Sequence, residues 1–283
     1  MNQPERRIAE GVVSTDDLVA SARSLERAGR LDDAAALLEP HVGPEATSAD
    51  LLYRLGCIRA RQQRPTEAEE LLRRGIALRQ EDARLHTNLG VVLDMQGRAD
   101  EAVRSFRRAL ELAPDDPTAL LNLGALYGEM GRHEDAARWL DRCLQRHPGY
   151  DPAFNLAIVR LRQGALQDAE ALLERAVGYD PSAAVAWFYL GRTRSKIGRN
   201  RPAVDALQEA LRREPGLVQA RLSLGIAWIA LGVPRAAVEE LERAAKAWPD
   251  EGKIHYHLGI AYDALAQKSR ARECFRRART CGF

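Results

Sequence analysis

The chain has 283 residues, of which 42 are basic and 40 acidic, for a formal net charge of +2. That balance excludes a global field steering it to nucleic acid or an anionic membrane, and no apolar run reaches the ~18 residues that a membrane span needs. Four cysteines (Cys57, Cys143, Cys274 and Cys281) show neither metal-site spacing nor the density of a disulfide framework, which points to a cytoplasmic, reducing location.

Residues 1–14 carry Arg6 and Arg7 but no apolar stretch like that of a secretory signal, and are read as a flexible leader. From Thr15 onward a small residue is answered by an Ala twelve positions later, and the pair returns every 34 residues. Gly56 with Ala68, Gly90 with Ala102 and Gly124 with Ala136 set the beat. Gly191 with Ala203, Gly225 with Ala237 and Gly259 with Ala271 continue it, while Ala22 and Ala157 take the Gly place in the first and fifth units. Self-similarity at such a period signals a stacked array. The eight units are 15–48, 49–82, 83–116, 117–149, 150–183, 184–217, 218–251 and 252–283. Within each, apolar residues recur at i, i+3, i+4 and i+7 in two runs, so each unit is two antiparallel helices that cannot bury their apolar faces alone.

Local signals agree with this frame. Asp116-Pro117, Asp151-Pro152 and Asp180-Pro181-Ser182 place capping side chains and Pro at helix starts. Gly97, Gly131 and Gly198 stand between the two runs, where a helix end in left-handed geometry prefers Gly. The second unit has Gln63 at that turn, and Gly75 inside a helix at a cost of ~1 kcal/mol relative to Ala, so it is expected to be the softest. His41–Ser48, with Gly43 and Pro44, reads as a linker that loosens the first unit. The fourth unit is one residue short before Tyr150, which trims a turn, and the eighth stops at Phe283 without a following solvating helix.

The unit from Ala83 contains Leu89-Gly90, Gly97, Ala102, Phe106, Ala109 and Pro114, and the unit from Ala184 opens with Trp187 before Leu190-Gly191. This pattern resembles the tetratricopeptide repeat over nearly the whole chain. The resemblance implies an all-α, right-handed superhelical solenoid of antiparallel helix pairs. It also implies that repeat positions 2, 5, 6, 9, 12 and 13 face a concave groove.

Those positions nominate a partner-binding surface. Asn88, Asn122 and Asn155 share position 6 of three consecutive units, a run similar to the asparagine ladder in the repeat arm of O-linked N-acetylglucosamine transferases. An amide side chain offers donors and an acceptor to a peptide backbone. Phe154, Ile158, Phe188, Tyr189, Leu222, Ile226, Ile229, Tyr256 and Ile260 make the later part of the face apolar, as suits an amphipathic helix or apolar peptide. Arg23, Arg27, Arg54, Arg61 and Arg84, continued by Arg162, Arg192 and Lys196, favour an acidic ligand. No three consecutive units reproduce the carboxylate clamp of chaperone-binding members. The last helix, from Lys268 to Arg279, is strongly basic and reads first as a solubilising cap, second as a docking site for an acidic partner.

Phosphate-binding, Ser-hydrolase and His-Glu-x-x-His patterns are missing from the sequence, and His255 and His257 point in different directions on a helix. No catalytic residue, metal or cofactor and no small-molecule substrate are expected. The expected function is a scaffold or adaptor holding a peptide or helix of a partner protein. Self-assembly into a homo-oligomer and recruitment of substrate to an enzyme complex are the alternatives, with nucleic-acid binding last.

Overall fold

Helices with one apolar stripe are stable only against neighbours, and the computed structural model, which describes residues 14–283, answers with sixteen α-helices and no strand among those residues. The described residues form two compact units, 14–146 and 147–283. The first holds α1 (Thr15–Arg27), α2 (Leu31–Leu38), α3 (Ala49–Arg61), α4 (Pro65–Leu78), α5 (Ala83–Met95), α6 (Ala99–Leu112), α7 (Pro117–Glu129) and α8 (His133–Arg146). The second holds α9 (Tyr150–Arg162), α10 (Leu166–Tyr179), α11 (Ala184–Lys196), α12 (Asn200–Arg213), α13 (Val218–Ala230), α14 (Pro234–Ala247), α15 (Gly252–Ala264) and α16 (Lys268–Thr280). Within each unit the helices pair across short turns, and each second helix packs on the first helix of the next repeat. The division falls at the connection 147–149, where the fourth repeat is short. The leader lies outside the described residues, except that Ser14 caps α1 by accepting from the Asp17 N–H.

The small-residue beat has a steric cause. A Cβ on Gly90 would lie 2.6 Å from Cε1 of Phe106, and one on Gly225 would lie 2.5 Å from Cγ of Leu241. The first helix therefore approaches the second closely only where no larger side chain stands. Gly75 has the same kind of use: an added Cβ would lie 2.8 Å from Cδ2 of Leu85. The helix-propensity loss expected to soften this repeat is thus matched by packing across to the next one.

Turns follow the sequence signals with two exceptions. Gly97, Gly131 and Gly198 have φ of +73°, +74° and +81°, and Gln63 and Ala266 adopt the same left-handed geometry at +61° and +58°. Among the anticipated caps, Asp116 accepts from the Ala119 N–H with Pro117 in the first turn. Asp151 does not cap, because α9 already begins at Tyr150 with Gly149 as N-cap. Asp180 instead closes a local turn, accepting from the Ser182 N–H and hydroxyl. The linker after α2 is also less loose than expected. Val42 is buried, the Arg74 guanidinium donates to the carbonyls of Val42 and Gly43, and Arg59 pairs with Glu39.

Candidate functional site

In the first unit, three of the cations nominated for acidic ligands, Arg54, Arg61 and Arg84, meet internal counter-charges. Arg54 donates to Oε1 of Glu26 at 3.3 Å and Arg61 to Oε2 at 3.0 Å, with Arg54 and Glu26 both largely buried. Arg84 pairs with Asp82 at 2.7 Å and with Asp50 at 2.9 Å, and Arg79 joins both carboxylates. The Arg84 fork holds the Asp82 carboxyl below its usual range against the opposing effect of burial. Arg84 is thus engaged within the fold, and Arg54 partly so. Both guanidiniums also lie over the ring of Tyr53, at 5.6 Å for Arg54 and 5.1 Å for Arg84.

The three asparagines differ from one another. Asn88 donates to the carbonyl of Arg84 at 2.9 Å and to the Tyr53 hydroxyl at 3.4 Å, while its Oδ1 accepts from the Cys57 thiol. Its amide is occupied. Asn122 on α7 and Asn155 on α9 are half-buried and make no side-chain hydrogen bond among the described residues. These two, each in its own unit, keep an amide available to a ligand.

In the second unit the first-helix face is aromatic. Tyr150 stacks on Phe154 at 5.4 Å, Phe154 meets Tyr189 edge-on at 5.6 Å, and Tyr189 meets Phe188 at 5.3 Å. The exposed Arg192 lies over Tyr189 at 4.9 Å. Phe188 is only 7% exposed and belongs to the core with Val204, Leu207 and Leu224, so it supports the face without presenting a surface. The reason is its direction: it packs toward the second helix and the following repeat. Phe154 and Tyr189 remain half-exposed. Leu222 is half-buried against the core of the last two repeats, and Ile226 is likewise half-buried. Tyr256 is exposed but gathers with Phe275 and Phe283, 5.9 and 5.0 Å away, around a cavity of about 580 Å³.

Groups that could carry chemistry are engaged structurally. His255 is buried and donates to the carbonyl of Pro249 at 2.6 Å, and burial lowers the pKa of His257. No group of metal-ligating side chains occurs among the described residues, and no helix there is long and apolar enough to cross a membrane. On α16, Arg270 lies over Tyr262, Lys268 pairs with Asp263 and Arg276 with Glu273. Sequence reasoning missed Glu26, Asp50, Asp82, Tyr53 and Tyr150. A signal was present for the acids: Asp50 and Arg84 are 34 residues apart and Glu26 and Arg61 are 35 apart, close to one repeat length.

Stacked helix pairs whose first helices carry amides, rings and cations define a helical-repeat interaction protein. Tetratricopeptide repeat family models match residues 18–40, 53–117, 95–158, 160–222 and 229–282, and the chain belongs to the tetratricopeptide repeat family. It is in that general sense a protein-interaction scaffold, since this fold typically serves as a non-catalytic interaction module. Among solved structures, it is similar to YrrB, a protein described as having an unusual peptide-binding site (22% identity, TM-score 0.61, 71% of this chain and 99% of that one). It is also similar to PilF of Pseudomonas aeruginosa (17%, 0.65, 73% and 94%) and to MamA (23%, 0.56, 60% and 94%). These likenesses establish the fold. No protein of curated function matches the sequence.

Proposed function

We propose that the first-helix face holds an extended peptide segment or amphipathic helix of a partner protein, making the chain a non-catalytic scaffold or adaptor. The observation that carries this is the free amide of Asn155 next to the half-exposed Phe154, whose ring lies 5.6 Å from that of Tyr189. An amide beside apolar rings suits a ligand that offers main-chain hydrogen bonds and an apolar side chain together. In the first unit, Asn122 by itself offers an amide to a ligand of the same kind. The peptide-binding description of YrrB supports the same reading by likeness of fold. The test is selection of peptides from a random displayed library by the full chain, followed by calorimetry on a selected peptide. Asn122→Ala with Asn155→Ala should weaken binding about tenfold with helix content unchanged, while Asn88→Ala should have little effect. Unchanged affinity in the double variant refutes the role of the amides.

A second reading is assembly of copies through the exposed Tyr256 and Phe283, which gather with the partly buried Phe275. Light scattering across a concentration series decides it, and a constant monomer mass removes it.

A further inference from the structure

One feature of the first-helix face in the first unit is a cavity of about 370 Å³ lined by Arg23, Glu26, Arg27, Arg54 and Arg61. Its side chains come from α1 and α3. Glu26 has two partners, one arginine on each oxygen. Arg23 and Arg27, one helical turn apart on α1, are exposed and form no ion pair or hydrogen bond among the described residues. Arg54 has a buried Nε–H with no acceptor. Four guanidiniums around one carboxylate leave a surplus of three positive charges in a single small space.

We propose that this cavity receives the phosphate monoester of a phosphorylated side chain on the partner segment. The proposal rests on the peptide-scaffold reading and specifies the partner's chemistry. Glu26 already engages one arginine on each oxygen, and two further forks, Arg23 and Arg27, stand beside it on α1. A phosphate monoester brings close to two negative charges and three acceptor oxygens, which offsets most of the surplus of three and offers one more acceptor oxygen than a carboxylate. A phosphodiester carries one charge only, and no aromatic residue lines the cavity to stack a base. Elsewhere on the same unit Arg84 is already balanced by Asp50 and Asp82.

The probe is N-acetyl-phosphoserine methylamide, titrated into the full chain while the arginine Nε–H resonances are followed by NMR. Saturable shifts of Arg23, Arg27, Arg54 and Arg61 are expected. Arg23→Gln with Arg27→Gln should lower affinity about tenfold or more, and Arg84→Gln should stay within about twofold of wild type. If the double variant loses helix content, Arg27→Lys, which keeps the charge and removes the fork, should still weaken binding. No saturable shift overturns the proposal. Equal or tighter binding of N-acetyl-glutamate methylamide makes this a carboxylate site and also overturns it. Tighter binding of a thymidine oligonucleotide at the same resonances assigns the cavity to nucleic acid instead. Because the probe is a single blocked residue, its result is independent of the library-peptide experiment, and the two readings fail separately.

Discussion

Gly90→Ala tests the close approach of α5 and α6 in the third repeat. The added Cβ would lie 2.6, 2.7 and 2.9 Å from Cε1, Cδ1 and Cζ of Phe106. Favourable carbon–carbon contact begins near ~3.5 Å, so the ring must retreat by roughly 1 Å. The ring is fully buried. Overpacking of this kind costs about 1–3 kcal/mol, and Ala returns ~1 kcal/mol of helix propensity. A net loss of about 0–2 kcal/mol follows. The chain itself suggests the rescue: the first and fifth repeats place Ala22 opposite Leu38 and Ala157 opposite Leu173 in register, all fully buried. Phe106→Leu should therefore relieve Gly90→Ala by ~1 kcal/mol in a double-mutant cycle. Native-state hydrogen exchange of the α5 and α6 amides is the suitable assay, since a repeat array does not have to unfold in one step. An equal cost of Gly90→Ala in both backgrounds, or a gain in stability with Phe106 present, would refute the steric reasoning.

Ala266→Gly should raise the protection of α15 and α16 by ~1 kcal/mol, because a non-Gly residue is strained at φ +58°; no gain there would mean that the turn is unstrained. The Arg84 hydrogen bond, opposed by burial, depresses the Asp82 pKa, and burial raises that of Asp50 less than Arg84 and Arg79 lower it. A carboxylate with a lowered folded pKa stabilises fully above its unfolded value of ~3.9 and loses this as pH falls through the folded value. Urea midpoints of the first unit should accordingly fall below about pH 4, more steeply in wild type than in Asp82→Asn, where the cap survives. Parallel curves would contradict this linkage. Burial pushes the Cys57 thiol up to about 11, so iodoacetamide at neutral pH should modify it only after unfolding; prompt labelling of the folded chain would count against it.

The architecture was legible because its determinants are local. The Gly–Ala beat, the turn glycines and Asp116-Pro117 each act within one or two helices, and the structure places them as their chemistry requires. Asp151 and Asp180 show the limit of local reading. The same Asp-Pro pattern that caps α7 falls inside the first turn of α9 and before the start of α11, because the helix boundary shifted by a residue or more.

The candidate site was legible as positions on a face, and much less as available groups. Phe188 and Tyr189 are adjacent, yet one is core and the other half-exposed, which only the packing of α11 on α12 and α13 settles. Asn88 and Asn122 hold the same repeat position, but only Asn88 meets Tyr53 and Cys57 from the preceding repeat.

By itself the amino-acid sequence determined the repeated helix pairs and nominated a face for a partner, since period and turn chemistry are short-range. Tertiary structure alone decided which arginines and amides remain unengaged. Glu26, Asp50, Tyr53 and Cys57, which engage Arg54, Arg61, Arg84 and Asn88, lie roughly one period away along the chain and become their neighbours only when the helices stack.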